Sequence, residues 1–147
     1  MTQKVILTLQ GLQTDQGGED TGQIETVAEG DYYKKNGKHY VIYEEAMEDS
    51  VDTTKNRLKF NEDSIELSRR GSIAAHMVFQ ENKKNLTNYS TPFGQIHMGI
   101  DTKKIQVTER EERINVEVDY ALEIDDQFLS DCHMKINILS KETTAFP

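Results

Sequence analysis

The chain has 147 residues, with 17 Lys and Arg against 26 Asp and Glu and a formal net charge of -9 at pH 7. This length fits a single domain over residues 1–147 that buries most of its unfolded surface, and the acidic balance opposes binding to nucleic acid or anionic membranes. Cys132 is the only cysteine, which excludes an internal disulfide, and no apolar stretch has the length of a signal or membrane span, so we expect a cytoplasmic location.

The first part of the chain predicts four strands separated by polar breaks. Alternating apolar residues indicate strands over residues 4–13, 24–35, 39–45 and 55–60. Asn36-Gly37 is the dipeptide that tight β-hairpins prefer. The acidic residues of segment 44–52 lack the glycine and the ligand order of an EF-hand loop, so we interpret them as a solvated loop rather than a calcium site.

The next segment alternates without a break from residue 65 to residue 79. The odd-numbered row is apolar except for Arg69 and Gly71, whereas the even-numbered row is mostly polar. This pattern predicts one long half-buried strand, bent at Gly71, with the Arg69 cation on its inner face.

The last part of the chain predicts four more strands, over residues 86–91, 95–107, 114–124 and 128–138. Turns are predicted between these strands at 91–94 and at Asp125-Asp126, and a bulge or bend is predicted within the second of them at Lys103-Lys104. In the last two strands, alternation places one set of side chains in the interior: Val116, Val118, Tyr120, Leu122, Met134, Ile136 and Ile138. The outward set is Glu117, Asp119, Lys135 and Asn137. The whole pattern predicts an all-β fold, a single antiparallel meander barrel of about eight to ten strands.

Several short motifs resemble the YwiB-like family of small bacterial proteins of unknown function. They are Arg69-Arg70-Gly71, Met77-Val78-Phe79, the segment 89–94 and the segment 102–105, and segments 29–33 and 40–45 match the N-terminal half of that family. The resemblance implies a lipocalin-like (calycin-like) β-barrel. It implies no activity and carries over no functional residues, so the analogy with small-ligand carriers holds only for the fold.

Arg69 is the sharpest candidate for a binding residue. An arginine on an inward row needs anionic or carbonyl partners, because an unpaired buried charge is costly. A bound carboxylate or phosphate could supply that partner in bidentate geometry. The alternatives are an internal acid, or water reaching Arg69 at the rim of the barrel.

Five further residues are candidates to line the same ligand site. Tyr32 and Tyr120 have inward phases and could offer hydroxyl groups, although core tyrosines often serve packing alone. The other three share inward rows and would supply apolar contacts: Met77, Phe79 and Met98.

No pattern in the chain indicates catalysis, a metal or a cofactor. Cys132 and His133 are adjacent on a strand, so they point to opposite faces and His133 cannot activate the thiol. The histidines lack the short paired spacing of metal sites. We therefore expect non-enzymatic binding of a small amphipathic or anionic ligand, with no nucleic acid or membrane partner. The alternatives are a packed barrel that acts as a protein-interaction module, and an enzyme site assembled across strands.

Overall fold

A computed structural model describes residues 2–14, 20–46 and 53–141, and nearly all of this part is β-strand. Residues 47–52, in the predicted acidic loop, lie outside the described residues. No helix among the described residues is long and apolar enough to cross a bilayer. The ten strands are β1 (Gln3–Thr14), β2 (Asp20–Lys35), β3 (Lys38–Ala46), β4 (Thr53–Phe60), β5 (Ser64–Arg70), β6 (Ala75–Gln80), β7 (Lys83–Thr91), β8 (Gly94–Glu109), β9 (Arg113–Ile124) and β10 (Gln127–Ser140).

The strands form one antiparallel sheet that curls into a nearly closed barrel. Its order is β6-β5-β4-β3-β2-β1-β10-β9-β8-β7, so strands that follow one another along the chain are neighbours, except β6 and β7, and β1 pairs with β10. The two outermost strands, β6 and β7, meet through one isolated bridge between Ala74 and Ser90. The predicted antiparallel meander barrel is therefore confirmed, and its lipocalin-like character stays a prediction.

The predicted turns and the bulge are confirmed. Asn36 and Gly37 both have positive φ, 53° and 76°, and so do Asp125 and Asp126, as hairpin turns of the primed types require. The pairing of β8 with β9 shifts by one residue between Thr102 and Lys104, which is the bulge predicted at the two lysines.

The single long strand predicted over residues 65–79 is wrong, because this segment is the β5–β6 hairpin. Ile65 pairs with Phe79 and Arg69 pairs with Ala75. Odd-numbered residues thus face odd-numbered residues across the hairpin, and cross-strand partners share a face. The apolar row stays in phase through the reversal, so alternation alone cannot distinguish a bent strand from this hairpin.

Gly71, where the sequence predicts a bend, begins the turn of that hairpin. Its φ is 151°. A Cβ added there would lie 2.5 Å from the carbonyl oxygen of Thr53 and 2.9 Å from Cα of Thr54. The turn therefore needs glycine both for its backbone angle and for the close approach of β4.

The interior predicted for the last two strands is confirmed. Six of the seven inward residues are buried, and Tyr120 is half-buried against them. The side chains of Glu117, Asp119 and Lys135 form salt bridges on the outer face. Uninterrupted alternation over two long central strands leaves only one register that buries the apolar set.

The two ends of the barrel differ in how well the interior is filled. The His39 end carries the turns at 36–37, 61–63 and 110–112, and the Arg69 end carries the turns at 71–74, 92–93 and 125–126. Towards the His39 end most inward side chains are fully buried, among them Val5, Leu7, Tyr32, Val41, Leu58, Phe60, Ile65, Phe79, Ile114, Val116, Ile136 and Ile138. Towards the Arg69 end the filling is uneven, because some inward side chains are buried and others remain half-buried. The buried ones include Tyr43, Thr54, Asn56, Ile100 and Leu122, and the half-buried ones include Leu9, Ala28, Met77, Met98 and Tyr120.

Candidate functional site

Arg69 lies at the inner edge of the Arg69 end, bonded to side chains of three other strands. Its Nε donates to Oδ1 of Asn56 at 3.2 Å, its Nη1 to the hydroxyl of Tyr89 at 2.7 Å, and its Nη2 to Oε1 of Glu45 at 3.2 Å. The side chain of Arg69 is 15% exposed and that of Glu45 is 22% exposed. Of the partners that the sequence left open for Arg69, an internal carboxylate is therefore present.

Strand register explains why these four residues meet. Asn56 on β4 is the cross-strand partner of Arg69, and Glu45 on β3 faces inward near it. On the other side of Arg69, its partner on β6 is Ala75, whose short side chain leaves room for the guanidinium to extend to Tyr89 on β7. The cluster thus ties β3, β4 and β5 to β7 across the gap between β6 and β7.

The cluster leaves hydrogen-bonding capacity on the guanidinium. Asn56 Nδ2 donates to Glu45 Oε1 at 3.0 Å, so this carboxylate accepts from both Asn56 and Arg69. Arg69 has five N–H groups, and three of them donate to described residues. One N–H on each terminal nitrogen is left beyond these contacts, and such a pair can hold a carboxylate or phosphate.

The half-exposed wall near this cluster contains three of the predicted site residues, Met77, Met98 and Tyr120. Met77 and Tyr120 pack against the buried core. The Tyr120 ring meets Phe79 edge to face, with centroids 5.0 Å apart. Burial raises the pKa of the Tyr120 phenol, and the charge of Cys132 and its hydrogen bond with the phenol raise this pKa further.

The other two predicted site residues lie away from the Arg69 cluster. Phe79 is fully buried in the core. Tyr32 is also fully buried, and its hydroxyl lies 2.7 Å from Nδ1 of His39, towards the opposite end of the barrel. Burial, and secondarily the charge of Glu109, raise the pKa of Tyr32 to about 12. Tyr32 and Arg69 both face inward, but phase does not determine where along the barrel a residue lies, and the pairing of Tyr32 with Val41 places it at the His39 end.

The His39 end has a polar group of its own, which the sequence did not predict. His39 is buried, stacks on Phe60 with ring centroids 4.7 Å apart, and bonds Tyr32 through Nδ1 and Glu109 through Nε2 at 2.5 Å. Burial lowers the pKa of His39, the charge of Glu109 opposes this shift, and Lys34 adds to it. The sequence did contain a signal for this group, because His39 lies on the same inward-facing row of its strand as Val41 and Tyr43.

The bond between His39 and Glu109 spans the barrel. It joins β3 to β8, which lie five strands apart in a sheet of ten. Outside this pair, a cleft of about 490 Å³ is lined by Lys34, Gly37, His39, Asn61, Glu62, Asp63, Val107 and Glu109. Because both ring nitrogens already have partners, His39 closes this end of the barrel.

Cys132 and His133 point to opposite faces, as predicted. Cys132 is buried 3.5 Å from the Ser130 hydroxyl, and burial raises the pKa of its thiol. His133 bonds Asp119 and Glu117 on the outer face. Among the described residues, no three His, Cys, Asp or Glu side chains are grouped so that they could hold a metal ion.

Comparison with known proteins agrees with this architecture. The chain is 26% identical over 123 residues to the uncharacterized beta-barrel protein YwiB of Bacillus subtilis strain 168, covering 84% of each chain. The crystal structure of the ywiB protein from Bacillus subtilis superposes with a TM-score of 0.82 at 22% identity, covering 96% of this chain and 94% of that one. Residues 7–136 match a family model described as "Domain of unknown function (DUF1934)", and the chain therefore belongs to that family of YwiB-like β-barrel proteins.

Proposed function

We propose that this barrel binds a small anionic or amphipathic ligand, without catalysis, at the Arg69 end. The observation that carries the proposal is a mostly buried guanidinium beside inward side chains that remain half-exposed. A charge held in low dielectric attracts an anion more strongly than one in water. The apolar wall of Met77, Met98 and the Tyr120 ring suits the carbon skeleton of such a ligand.

The filled half of the barrel limits the size of the ligand. Tyr32, Phe60 and Phe79 are fully buried, so they contact no void large enough for water. A ligand at the Arg69 end can therefore enter only part of the barrel's depth. This favours a short amphipathic acid over a long-chain one.

Glu45 sets the affinity in this proposal. It neutralises Arg69 when no ligand is bound, and it repels a carboxylate that approaches the remaining N–H groups. Removing its charge should therefore strengthen anion binding. The expected gain is about fivefold, the effect of about 1 kcal/mol for one charge interaction near the surface.

The test uses octanoate, a short amphipathic acid, and isothermal titration of three variants. Arg69→Met should abolish octanoate binding, and Glu45→Gln should strengthen it. Arg113→Met, at an exposed arginine of the His39 end, is the matched control and should bind octanoate as the unmodified chain does. Octanol, which has the same chain length and no charge, should bind the Arg69→Met variant and the unmodified chain equally.

Stability measurements on the same variants separate binding from folding. Arg69→Met leaves Glu45 without its cation and should lower the free energy of unfolding by about 3 kcal/mol, because breaking a buried pair costs about 3 to 5 kcal/mol and Glu45 keeps some contact with water. Octanoate that binds a folded Arg69→Met variant as tightly as the unmodified chain would contradict the proposal. So would the absence of octanoate binding by both the unmodified chain and Glu45→Gln.

A further inference from the structure

Two patches on the outer surface of the barrel carry opposite charge. The cationic patch consists of Ile42, Lys55, Arg57 and Arg70, on β3, β4 and β5. The acidic cleft has a volume of about 410 Å³, and its outward-facing lining includes Leu86, Asn88, His97, Asp125 and Asp126. Each patch combines exposed apolar surface with charged side chains that form no salt bridge among the described residues.

The cationic patch carries more positive than negative charge: Glu44 on β3 lies opposite Lys55, but neither Arg57 nor Arg70 has a carboxylate as a cross-strand partner. Lys55 and Arg70 are direct cross-strand partners, and like charges placed opposite each other destabilise a sheet. Arg57 lies between them and Ile42, its own cross-strand partner. None of the three cations forms a salt bridge with a described carboxylate. Ile42 is 42% exposed in the middle of this charge.

The acidic cleft results from a strand with reversed polarity. On β7 the polar side chains of Asn85 and Thr87 face inward, while Leu86 between them is 74% exposed. The cross-strand partner of Leu86 is Gly99, which is buried. A Cβ at Gly99 would lie 3.2 Å from Lys84 Cε, 3.4 Å from Glu123 Cβ and 3.5 Å from Leu86 Cδ2, so glycine lets the side chains of Lys84 and Leu86 pack over this strand.

The charge at the rim of the cleft comes from the β9–β10 turn. Asp125 and Asp126 are both exposed, and neither forms a salt bridge with a described cation. The neighbouring acids are different, because Glu123 pairs with Lys84 at 2.6 Å and Asp101 pairs with Lys103 at 2.8 Å. After Glu123, the charge of Asp126 also contributes to the raised pKa of Lys84, so Asp126 is partly balanced within the chain, and Asp125 is the turn carboxylate most able to meet a cation from outside.

The positions of the two patches prevent one chain from matching its own charges. The patches centre on β4 and β8, which lie four strands apart in the ten-stranded order through β5, β6 and β7. They therefore face different sides of the barrel. A contact between them must join two molecules, and it uses different surfaces on the two partners.

We propose that a second copy of this chain docks its cationic patch into the acidic cleft of the first. Ile42 of one copy then covers the exposed side chain of Leu86 of the other, and Arg57 with its neighbouring cations meets Asp125 and Asp126. This contact is heterologous, so repeated association produces chains or rings of molecules. It gives the interaction-module alternative a defined partner, and it does not depend on ligand binding at Arg69.

Salt should affect this association in two ways. The net charge of -9 on each copy causes long-range repulsion, which about 0.1 M salt screens because the Debye length is then about 10 Å. The direct contacts between patches survive at that ionic strength and weaken at about 1 M salt. Association should therefore be strongest at intermediate salt.

Sedimentation velocity on paired variants tests the proposal at about 0.1 M salt. Arg57→Glu disables only the cationic patch. The double substitution of Asp125→Asn with Asp126→Asn disables only the cleft, and asparagine tolerates the positive φ of both positions. Each variant alone should associate at least about tenfold more weakly than the unmodified chain, the effect of about 1.4 kcal/mol.

Mixing the two variants is the decisive step. The intact cleft of the Arg57→Glu chain can accept the intact patch of the double variant, and no further contact remains. The mixture should therefore form a species of twice the chain mass and nothing larger, whereas the unmodified chain should continue to larger species. Arg110→Glu, an exposed arginine at the His39 end, changes the net charge equally and should associate normally.

Three results would overturn the proposal. The first is an unmodified chain that stays monomeric at every concentration and salt. The second is normal association of the Arg57→Glu variant. The third is a mixture that contains only monomers although the unmodified chain associates, because the contact would then use the same surface on both copies.

Discussion

The two ends of this barrel each carry a histidine or arginine paired with a glutamate, yet only one of them retains unused donors. At the His39 end both ring nitrogens are bonded and the core beneath is filled. At the Arg69 end the guanidinium keeps N–H groups beyond its described partners and lies near half-exposed walls. A buried polar group thus indicates a binding site only where its hydrogen-bonding capacity exceeds what the fold consumes.

The two ends should differ most in how much stability is lost when an inward side chain is truncated to alanine. Phe60→Ala removes a fully buried ring at the His39 end and should lower the free energy of unfolding by about 3 to 5 kcal/mol. Met77→Ala, on the half-buried wall, should lower the free energy of unfolding by about 1 kcal/mol, because the Met77 side chain buries less apolar area on folding. Urea unfolding of both variants checks this, and equal costs would mean that the two halves are equally filled.

Turn substitutions at the Arg69 end should affect stability but not binding. Gly94 has φ of 133°, and a Cβ added there would meet no atom within 4 Å, so Gly94→Val should cost about 2 kcal/mol through backbone strain alone. Gly71→Val should cost more, since its Cβ would also collide with β4. Thermal melts give the ranking. An unchanged melt of Gly94→Val with lost octanoate binding would instead make the 92–93 turn part of the site.

The smallest expected effect is a pH dependence that originates at the His39 end. Burial lowers the pKa of His39 below its ordinary value of 6.5. The unfolded chain therefore takes up a proton before the folded chain does, and stability should fall as the pH drops below about 6.5. His39→Gln should reduce this loss, whereas His76→Gln, at an exposed position, should leave it unchanged. A His39→Gln variant that loses as much stability on acidification as the unmodified chain would show that other groups cause the loss.

Alternation in the sequence was sufficient to predict most of the barrel. Val116 to Leu122 and Met134 to Ile138 lie on long strands with one buried face, so a shift of one residue would expose the whole apolar set. The same alternation led to the wrong prediction of one long strand over residues 65–79, because a hairpin that pairs odd-numbered residues with odd-numbered residues keeps the apolar row on the same face.

The candidate site was predictable only in part. The phase of Arg69 placed it on the inner face, but its carboxylate partner Glu45 lies 24 positions away along the chain. Finding that partner requires the registers of both β3 with β4 and β4 with β5. Tyr32 lies at the His39 end because its position on β2 pairs it with Val41 and Gln3, close to the 36–37 turn, whereas alternation reports only the face of the strand.

The most direct test of the difference between the two ends is a titration of the isotope-labelled chain with octanoate, followed by amide chemical shifts in NMR. We expect the shifts to change at Arg69, Tyr89, Met77 and Met98, while the amides of Tyr32, His39 and Phe60 stay unchanged. Changes that cluster instead around His39 and Phe60, or no changes at either end, would contradict a ligand site at the Arg69 end.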